Sequence, residues 1–205
     1  TVQSFGPEGD SLSLEQLFTI VFDQRVDPAA VLATVHLTAD GNEVALRLAT
    51  AAEVEADDAA RQTSENAEDG RWLAFRPVQP MPTDASLTIH IGPDTPSAEG
   101  PGTTTDAVTY HAHTYAPLRV VRTSCAYGDS CPPGTDLYVE FNNPLDSTKS
   151  DISKVVVSPA LAGMTAGVQY STLVIGGATL ARTEYEITVP GTFTDVYGQT
   201  LGNDK

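Results

Sequence analysis

The chain of 205 residues is poor in several kinds of residue, and each shortage narrows what it can be. No apolar run approaches the roughly 20 residues that a membrane-spanning helix needs. Only 11 basic residues stand against 27 acidic ones, which gives a net charge of −16. Such a surface repels phosphate backbones and anionic lipid heads, so nucleic-acid binding is not expected. We attribute the acidity to solubility, with a site for a cation or a basic partner as the alternative.

Cysteine is equally scarce, since only Cys125 and Cys131 occur, with five residues between them. The intervening Gly128 and Asp129 favour a tight loop whose ends can meet at disulfide distance. Closing so short a loop stabilises the fold by roughly 2 kcal/mol. The alternative is a reduced pair forming half of a metal site, but no nearby Cys or His cluster supplies the other ligands. We predict a disulfide, and therefore an oxidising compartment.

Sequence signatures of catalysis and cofactor binding are missing. There is no G-x-S-x-G nucleophile turn, and the pair Gly176-Gly177 is not followed by the G-K-[ST] of a phosphate loop. No stretch has the D-x-D-x-D-G order of a calcium loop. The sequence therefore predicts no catalytic residue, no metal ligand and no cofactor, and hence a chain that is not an enzyme. It identifies no ligand-binding residue.

A few residues offer a functional interpretation beside a structural one. His111 and His113 alternate on a predicted strand and could supply two metal ligands, but without a third ligand we expect them to face solvent. Asp27 and Asp146 occupy equivalent places in a repeat, where each is expected to accept backbone N–H bonds in a turn, with calcium binding as the alternative. Trp72 is expected to pack in a core or at an edge, with glycan stacking as the alternative.

Two repeated patterns organise the chain. In residues 18–27 and 137–146, about 119 positions apart, every second residue of the run is apolar, and the run stops at Asp or Asn. This alternation is typical of a half-buried strand. Residues 73–92 and 173–191 repeat a short apolar strand, a turn and an alternating strand at an offset of about 100. The smaller offset predicts an insertion in the first copy, which a surface connection tolerates.

The predicted fold is all-β, with two tandem immunoglobulin-like β-sandwich domains over residues 1–115 and 116–205. Several short strands, with turn signals every 8–12 residues, favour this class. One short surface helix is predicted over residues 51–62 of the first domain, because Thr50 and Glu53 form a capping box. This helix and the loop after it are the candidate insertion. The second domain is expected to carry the small disulfide loop.

Several motifs in both domains point to one family. In the second domain they are Cys125-x5-Cys131-Pro-Pro-Gly, the strand that leads to Asp146, and the closing turn over residues 194–202. In the first domain they are Phe22-Asp-x-x-Val-Asp-Pro and Arg71-Trp-x-Ala-Phe-Arg-Pro. Together these motifs resemble the N-terminal macroglobulin-like domains of bacterial alpha-2-macroglobulins, over nearly the whole chain.

The resemblance implies a scaffold fragment of a large protease inhibitor that traps proteases, located in the bacterial periplasm or at the cell surface. The implied partners are the remaining domains of the parent chain and, through the full-length protein, target proteases. Membrane anchoring would use a segment outside this chain. The chain holds no Cys-x-Glu-Gln thioester motif and no recognisable bait segment. The alternatives are a cell-surface adhesion or structural module and an accessory domain of a secreted hydrolase.

Overall fold

The computed structural model describes residues 1–125 and 131–205, which form two compact units, Thr1–Tyr115 and Ala116–Lys205. Strands dominate the regular structure of both units, and they assemble into several sheets. This arrangement confirms the predicted all-β sandwich class. The immunoglobulin-like detail stays a prediction.

The strands of the first unit form two sheets that enclose one apolar core. One sheet has the order β1-β3-β7-β6, and the other has the order β2-β9-β8-β4-β5. Neighbouring strands are antiparallel except β2 and β9, which are parallel. The strands are β1 (Val2–Gly6), β2 (Gly9–Leu12), β3 (Phe18–Phe22), β4 (Val35–Ala39), β5 (Asn42–Val44), β6 (Leu46–Leu48), β7 (Trp72–Pro77), β8 (Ser86–Ile91) and β9 (Val108–Thr114).

Alternate side chains of β3 supply the centre of this core. Phe18, Ile20 and Phe22 are buried, while the residues between them are partly exposed. Phe18 stacks on Phe75 of β7 with ring centroids 5.5 Å apart. Ile89 of β8 joins the same cluster from the second sheet. The period-two pattern of the sequence therefore separates the core face of β3 from its outer face.

The first unit contains three short helices where the sequence predicted one. The helices are α1 (Pro28–Leu32), α2 (Ala51–Ala56) and α3 (Asp58–Asn66). The segment predicted as a single helix is divided at Asp57, whose carboxylate accepts the N–H of Ala60 and caps α3. An aspartate that bonds a nearby backbone N–H favours a helix start over a helix interior. No helix in the described residues is long and apolar enough to cross a membrane.

Trp72 packs beside these helices. It packs against a small buried cluster formed by Leu17, Ala60 and Ala74, of which Ala60 belongs to α3. The packing interpretation of Trp72 is therefore confirmed. Helices α2 and α3 connect β6 to β7. In the second unit, the strands at the corresponding places of the sheet are joined by a short turn at Tyr170.

The second unit has a four-stranded sheet that matches the β1-β3-β7-β6 sheet of the first unit, and a two-stranded sheet in place of the five-stranded one. One sheet has the order β10-β11-β14-β13, and β12 pairs with β15 alone among the described strands. A 3-10 turn precedes β12 at Ile152–Lys154. The strands are β10 (Val120–Cys125), β11 (Leu137–Phe141), β12 (Val156–Ser158), β13 (Ala162–Gln169), β14 (Thr172–Ala178) and β15 (Glu186–Thr188).

The core of the second unit is built on β11 as the first is built on β3. Leu137 lies opposite Ile175, just as Phe18 lies opposite Phe75. Phe193 is fully buried in this core and stacks on Phe141 of β11, with ring centroids 6.3 Å apart. The two units thus have separate cores with matching central strands.

Cys125, the last residue of β10, forms a disulfide with Cys131, and the two Cα atoms are 5.4 Å apart. The tight loop predicted between them, with Gly128 and Asp129, lies outside the described residues.

Separate cores predict separate unfolding. The substitution Phe18→Ala should lower the free energy of unfolding of the first unit by about 3–5 kcal/mol, because it removes a fully buried ring. Fluorescence of Trp72, the only tryptophan, reports this unit during urea unfolding. Val78→Ala is the control, since that side chain is 47% exposed. Phe193→Ala should leave the Trp72 midpoint in place, and a shift there would contradict separate cores.

Candidate functional site

The most unusual polar group in the described residues is Asp195, a carboxylate with no exposed surface. It lies in the turn after β15, next to the buried Phe193. Its Oδ2 accepts from Asn143 Nδ2 at 2.8 Å and from Gln199 Nε2 at 2.9 Å. Its Oδ1 accepts the backbone N–H groups of Tyr197 at 3.0 Å and of Gln199 at 2.8 Å. Four donors therefore compensate the cost of removing the carboxylate from water.

The side-chain amides of Asn143 and Gln199 also bind the first residue of the second unit. The carbonyl of Ala116 accepts from Asn143 Nδ2 at 2.8 Å and from Gln199 Nε2 at 3.1 Å. The carbonyl of Pro117 accepts from Asn142 Nδ2 at 3.0 Å. Because Asp195 orients both amides, the position of this segment depends on a carboxylate far away in sequence. We call these residues the Asp195 cluster (Ala116, Pro117, Asn142, Asn143, Asp195 and Gln199).

A second polar group, Asp146, holds the turn that follows β11. Its Oδ1 accepts the N–H and the hydroxyl of Thr148 at 3.0 and 2.6 Å, and its Oδ2 lies 3.0 Å from Lys149 Nζ. The Thr148 hydroxyl is the main cause that lowers the pKa of Asp146 to about 2, followed by Lys149. The backbone N–H of Asp146 donates to the carbonyl of Thr194 at 2.8 Å, so this turn is tied to the turn that carries Asp195.

Asp27 has the equivalent task in the first unit. Its carboxylate accepts the N–H groups of Ala29 and Ala30 at 2.9 and 3.2 Å and so caps α1. The turn-capping interpretation of both repeated aspartates is therefore confirmed. The helix itself was missed, although an Asp followed by Pro is a known start signal.

A cluster of alternating charges lies on the outer face of β6 and β7. Glu53, in the first turn of α2, accepts from both Arg47 and Arg76, and Arg76 also pairs with Glu15 at 3.0 Å. Arg47 is the main cause that lowers the pKa of Glu53, aided by the N–H of Thr50. Glu53 thus serves as a capping residue and as an ion-pair partner, which fixes α2 on the sheet.

The histidines lie on the outer face of the sheet that contains β4, β8 and β9. His36 and His90 are directly opposite each other on β4 and β8. His111 is exposed, and His113 is partly exposed with its Nε2 at 3.1 Å from Asp84 Oδ1. Within the described residues, no group of three or more His, Cys, Asp or Glu could hold a metal ion.

The sequence pointed to the turn aspartates but not to the Asp195 cluster. The residues of that cluster come from positions 116–117, 142–143, 195 and 199, and no local spacing joins these places. One available signal was the short polar run Asn142-Asn143, which interrupts the apolar alternation where β11 ends. The cluster holds no nucleophile and no proton-transfer pair, so its geometry supports positioning of the chain.

Replacing Asp195 tests that positioning role. Asp195→Asn puts an amide N–H₂ against existing N–H donors, so we expect the second unit to lose about 1–3 kcal/mol of stability. Calorimetric unfolding should show this loss, while the Trp72 transition of the first unit stays unchanged. Glu184→Gln is the matched control, because that carboxylate is exposed in the same unit. An equal effect of both substitutions would contradict the role of the cluster.

The lowered pKa of Asp146 predicts a pH dependence. A carboxyl with a depressed pKa stabilises the fold fully above its unfolded-state pKa of about 3.9, and this contribution is lost as the pH falls through about 2. The stability difference between the wild type and Asp146→Asn should therefore shrink between those values in urea titrations. Thr148→Val should move the loss to higher pH, because it removes the hydroxyl donor. A pH-independent difference would contradict the assignment.

Comparison with known proteins gives one informative similarity. No family model matches the chain. The chain is 30% identical over 146 residues to a protein named "Circularly permutated Ras protein 2" from Dictyostelium discoideum. The match covers 69% of this chain but only 4% of that protein. The chain therefore spans a very small part of the curated relative that it matches.

This similarity corrects three expectations from the sequence. The predicted function as a protease-inhibitor scaffold, with the descriptive terms attached to it, is contradicted by a relative that is a Ras protein. The same finding contradicts the prediction that the chain is not an enzyme. The resemblance to alpha-2-macroglobulin domains, the implied partners and the location outside the cytoplasm stay predictions that no comparison tests.

Proposed function

We propose that the chain works as a pair of β-domains within a GTP-hydrolysing protein. The relative carries the name of a Ras protein, and Ras proteins hydrolyse GTP. The observation that carries this proposal is the extent of the match. The first unit holds 115 of the 205 residues, fewer than the 69% that are matched, so the similarity includes residues of both units.

The residues of this chain do not fit a phosphate-binding loop. Such a loop leads from a strand into a helix, and its lysine follows a glycine. The sequence has three lysines, and only Lys149 precedes a serine. The residue before it is Thr148, and Lys149 Nζ is 3.0 Å from Asp146 Oδ2. We therefore propose that the nucleotide site of such a protein lies on another segment, and we derive no nucleotide chemistry from these residues.

The contribution that the geometry supports is positioning. In the second unit, the Asp195 cluster fixes the backbone of Ala116 and Pro117 to the turn after β15. A segment whose carbonyls are held by three side-chain amides, one of them buried, has few conformations available. We infer that the cluster fixes the direction in which the chain enters the second unit.

We also infer that each unit is an immunoglobulin-like sandwich. Two sheets that are antiparallel except for the pair of β2 and β9 share one apolar core, which supports this finer assignment in the first unit. In the second unit, the matching order of β10, β11, β14 and β13 supports it.

Two measurements test the proposed function. The first is the binding of a fluorescent GTP analogue in the presence of Mg²⁺, and the second is the release of phosphate from GTP. The native protein that contains this sequence should bind the analogue and release phosphate. The 205-residue chain alone should do neither. A native protein that binds no guanine nucleotide would overturn the proposal. Binding by the 205-residue chain alone would show that the nucleotide site is wrongly placed.

A further inference from the structure

One edge of β15 is paired with β12, and the other edge begins a ladder that stops after one residue pair. On that second edge, the N–H of Val189 donates to the carbonyl of Lys205 at 2.7 Å. The N–H of Lys205 donates back to the carbonyl of Val189 at 2.9 Å. This exchange of two bonds is the closely spaced pair of an antiparallel ladder. The register of an incoming strand is thereby already set.

The backbone of β15 continues this pattern. In a strand, the N–H and C=O of one residue point to the same edge, and those of the next residue point to the opposite edge. The N–H and C=O of Ile187 therefore point to the same edge as those of Val189. The groups of Glu186 and Thr188 point to β12, which matches their pairing with Ser158 and Val156. Ile187 therefore presents the next donor and acceptor of the ladder.

The first unit shows what occupies the equivalent edge. There, β8 is followed by a loop over residues 92–107 and then by β9, which pairs with β8 from Ile91 and Val108 onward. In the second unit, a loop over residues 190–204 leads to the Val189–Lys205 pair. The positions of Ile91 and Val189 correspond, because each ends an alternating strand of the repeat. The pair of Val189 with Lys205 thus matches the pair that opens β9.

In the first unit, the strand at this edge also closes the core. Tyr110 of β9 points inward and stacks on Phe5 of β1 with ring centroids 4.3 Å apart. Burial raises the pKa of Tyr110, in keeping with its inward position. Ala112 packs against the same cluster from the next inward position of β9.

In the second unit, the corresponding space is an open cleft. Its volume is about 540 Å³, and Leu137, Tyr185 and Ile187 contribute apolar side chains to its lining. Thr123 of β10 lines the opposite side, at the position that corresponds to Phe5 of β1. No described strand covers this cleft.

We propose that the open edge of β15 receives a strand that continues from Lys205 in a longer polypeptide. The strand runs antiparallel to β15, and its second, fourth and sixth residues face the cleft. From the proposed function, this proposal takes only that the chain is part of a longer polypeptide, which supplies the strand. The apolar side chains that line the cleft favour apolar or small residues at these three positions of the strand, and the solvent-facing positions between them favour polar residues.

The returning chain is held firmly enough to guide such a strand. Gly202 donates its N–H to the carbonyl of Gly191 at 2.9 Å, and the N–H of Gly191 donates to Asp204 Oδ1 at 2.7 Å. A Cβ on Gly191 would lie 2.6 Å from the carbonyl oxygen of Gly202. The close approach therefore requires glycine and brings the chain back in register at Lys205.

A matched pair of extended chains tests the proposal. The first adds, after Lys205, the six residues that follow Val108 in the first unit, Thr-Tyr-His-Ala-His-Thr. The second adds Tyr-Thr-Ala-His-Thr-His, which has the same composition but turns its tyrosine and alanine away from the cleft. Hydrogen exchange measured by NMR reports the amide of Ile187, and calorimetry reports the stability of the second unit.

The first extension should slow exchange of the Ile187 amide more than tenfold and raise the unfolding temperature of the second unit. The control extension should leave both values close to those of the original chain. Equal exchange in all three chains would overturn the proposal. Protection in the original chain that grows with protein concentration would also overturn it, because a second copy would then occupy the edge. The exchange rate involves no nucleotide, so this test and the GTP assay fail independently.

Discussion

Both units depend on a central strand that is paired on both edges and buried on one face. In the first unit this strand is β3, between β1 and β7, and in the second it is β11, between β10 and β14. Pairing on both edges satisfies the backbone groups of the strand, and alternate side chains fill the core. A slip of one residue in register would turn those side chains to solvent, so burial and hydrogen bonding specify the same arrangement.

The sequence carried enough information for these strands because their signal is local. The alternation around Ile20 and Val139 can be seen within five residues, and the structure buries both side chains. The helical region was less predictable for an equally local reason. Asp57 can act as a helix interior residue or as a cap, and composition alone favoured one continuous helix. The outcome depends on a single side-chain bond to a backbone N–H.

The Asp195 cluster could not be predicted in this way, since it joins residues that are distant in sequence. A buried carboxylate needs several donors, and these come from the end of β11 and from its own turn. The functional expectation failed for a different reason. Its motifs lie in strands, turns and a disulfide, and such features specify how a chain folds more than what it does.

The loops over residues 92–107 and 190–204 differ in sequence but close on matching residue pairs, Ile91 with Val108 and Val189 with Lys205. Each closing pair marks the place where its loop joins the sheet. Residues 100–102 of the first loop are exposed, whereas the second loop buries Phe193 and Asp195. An exposed stretch accepts changes of length at a small entropic cost. A foreign peptide inserted around residues 100–102, with the pair of Ile91 and Val108 kept as the anchor, would make the first domain usable as a scaffold for engineered recognition.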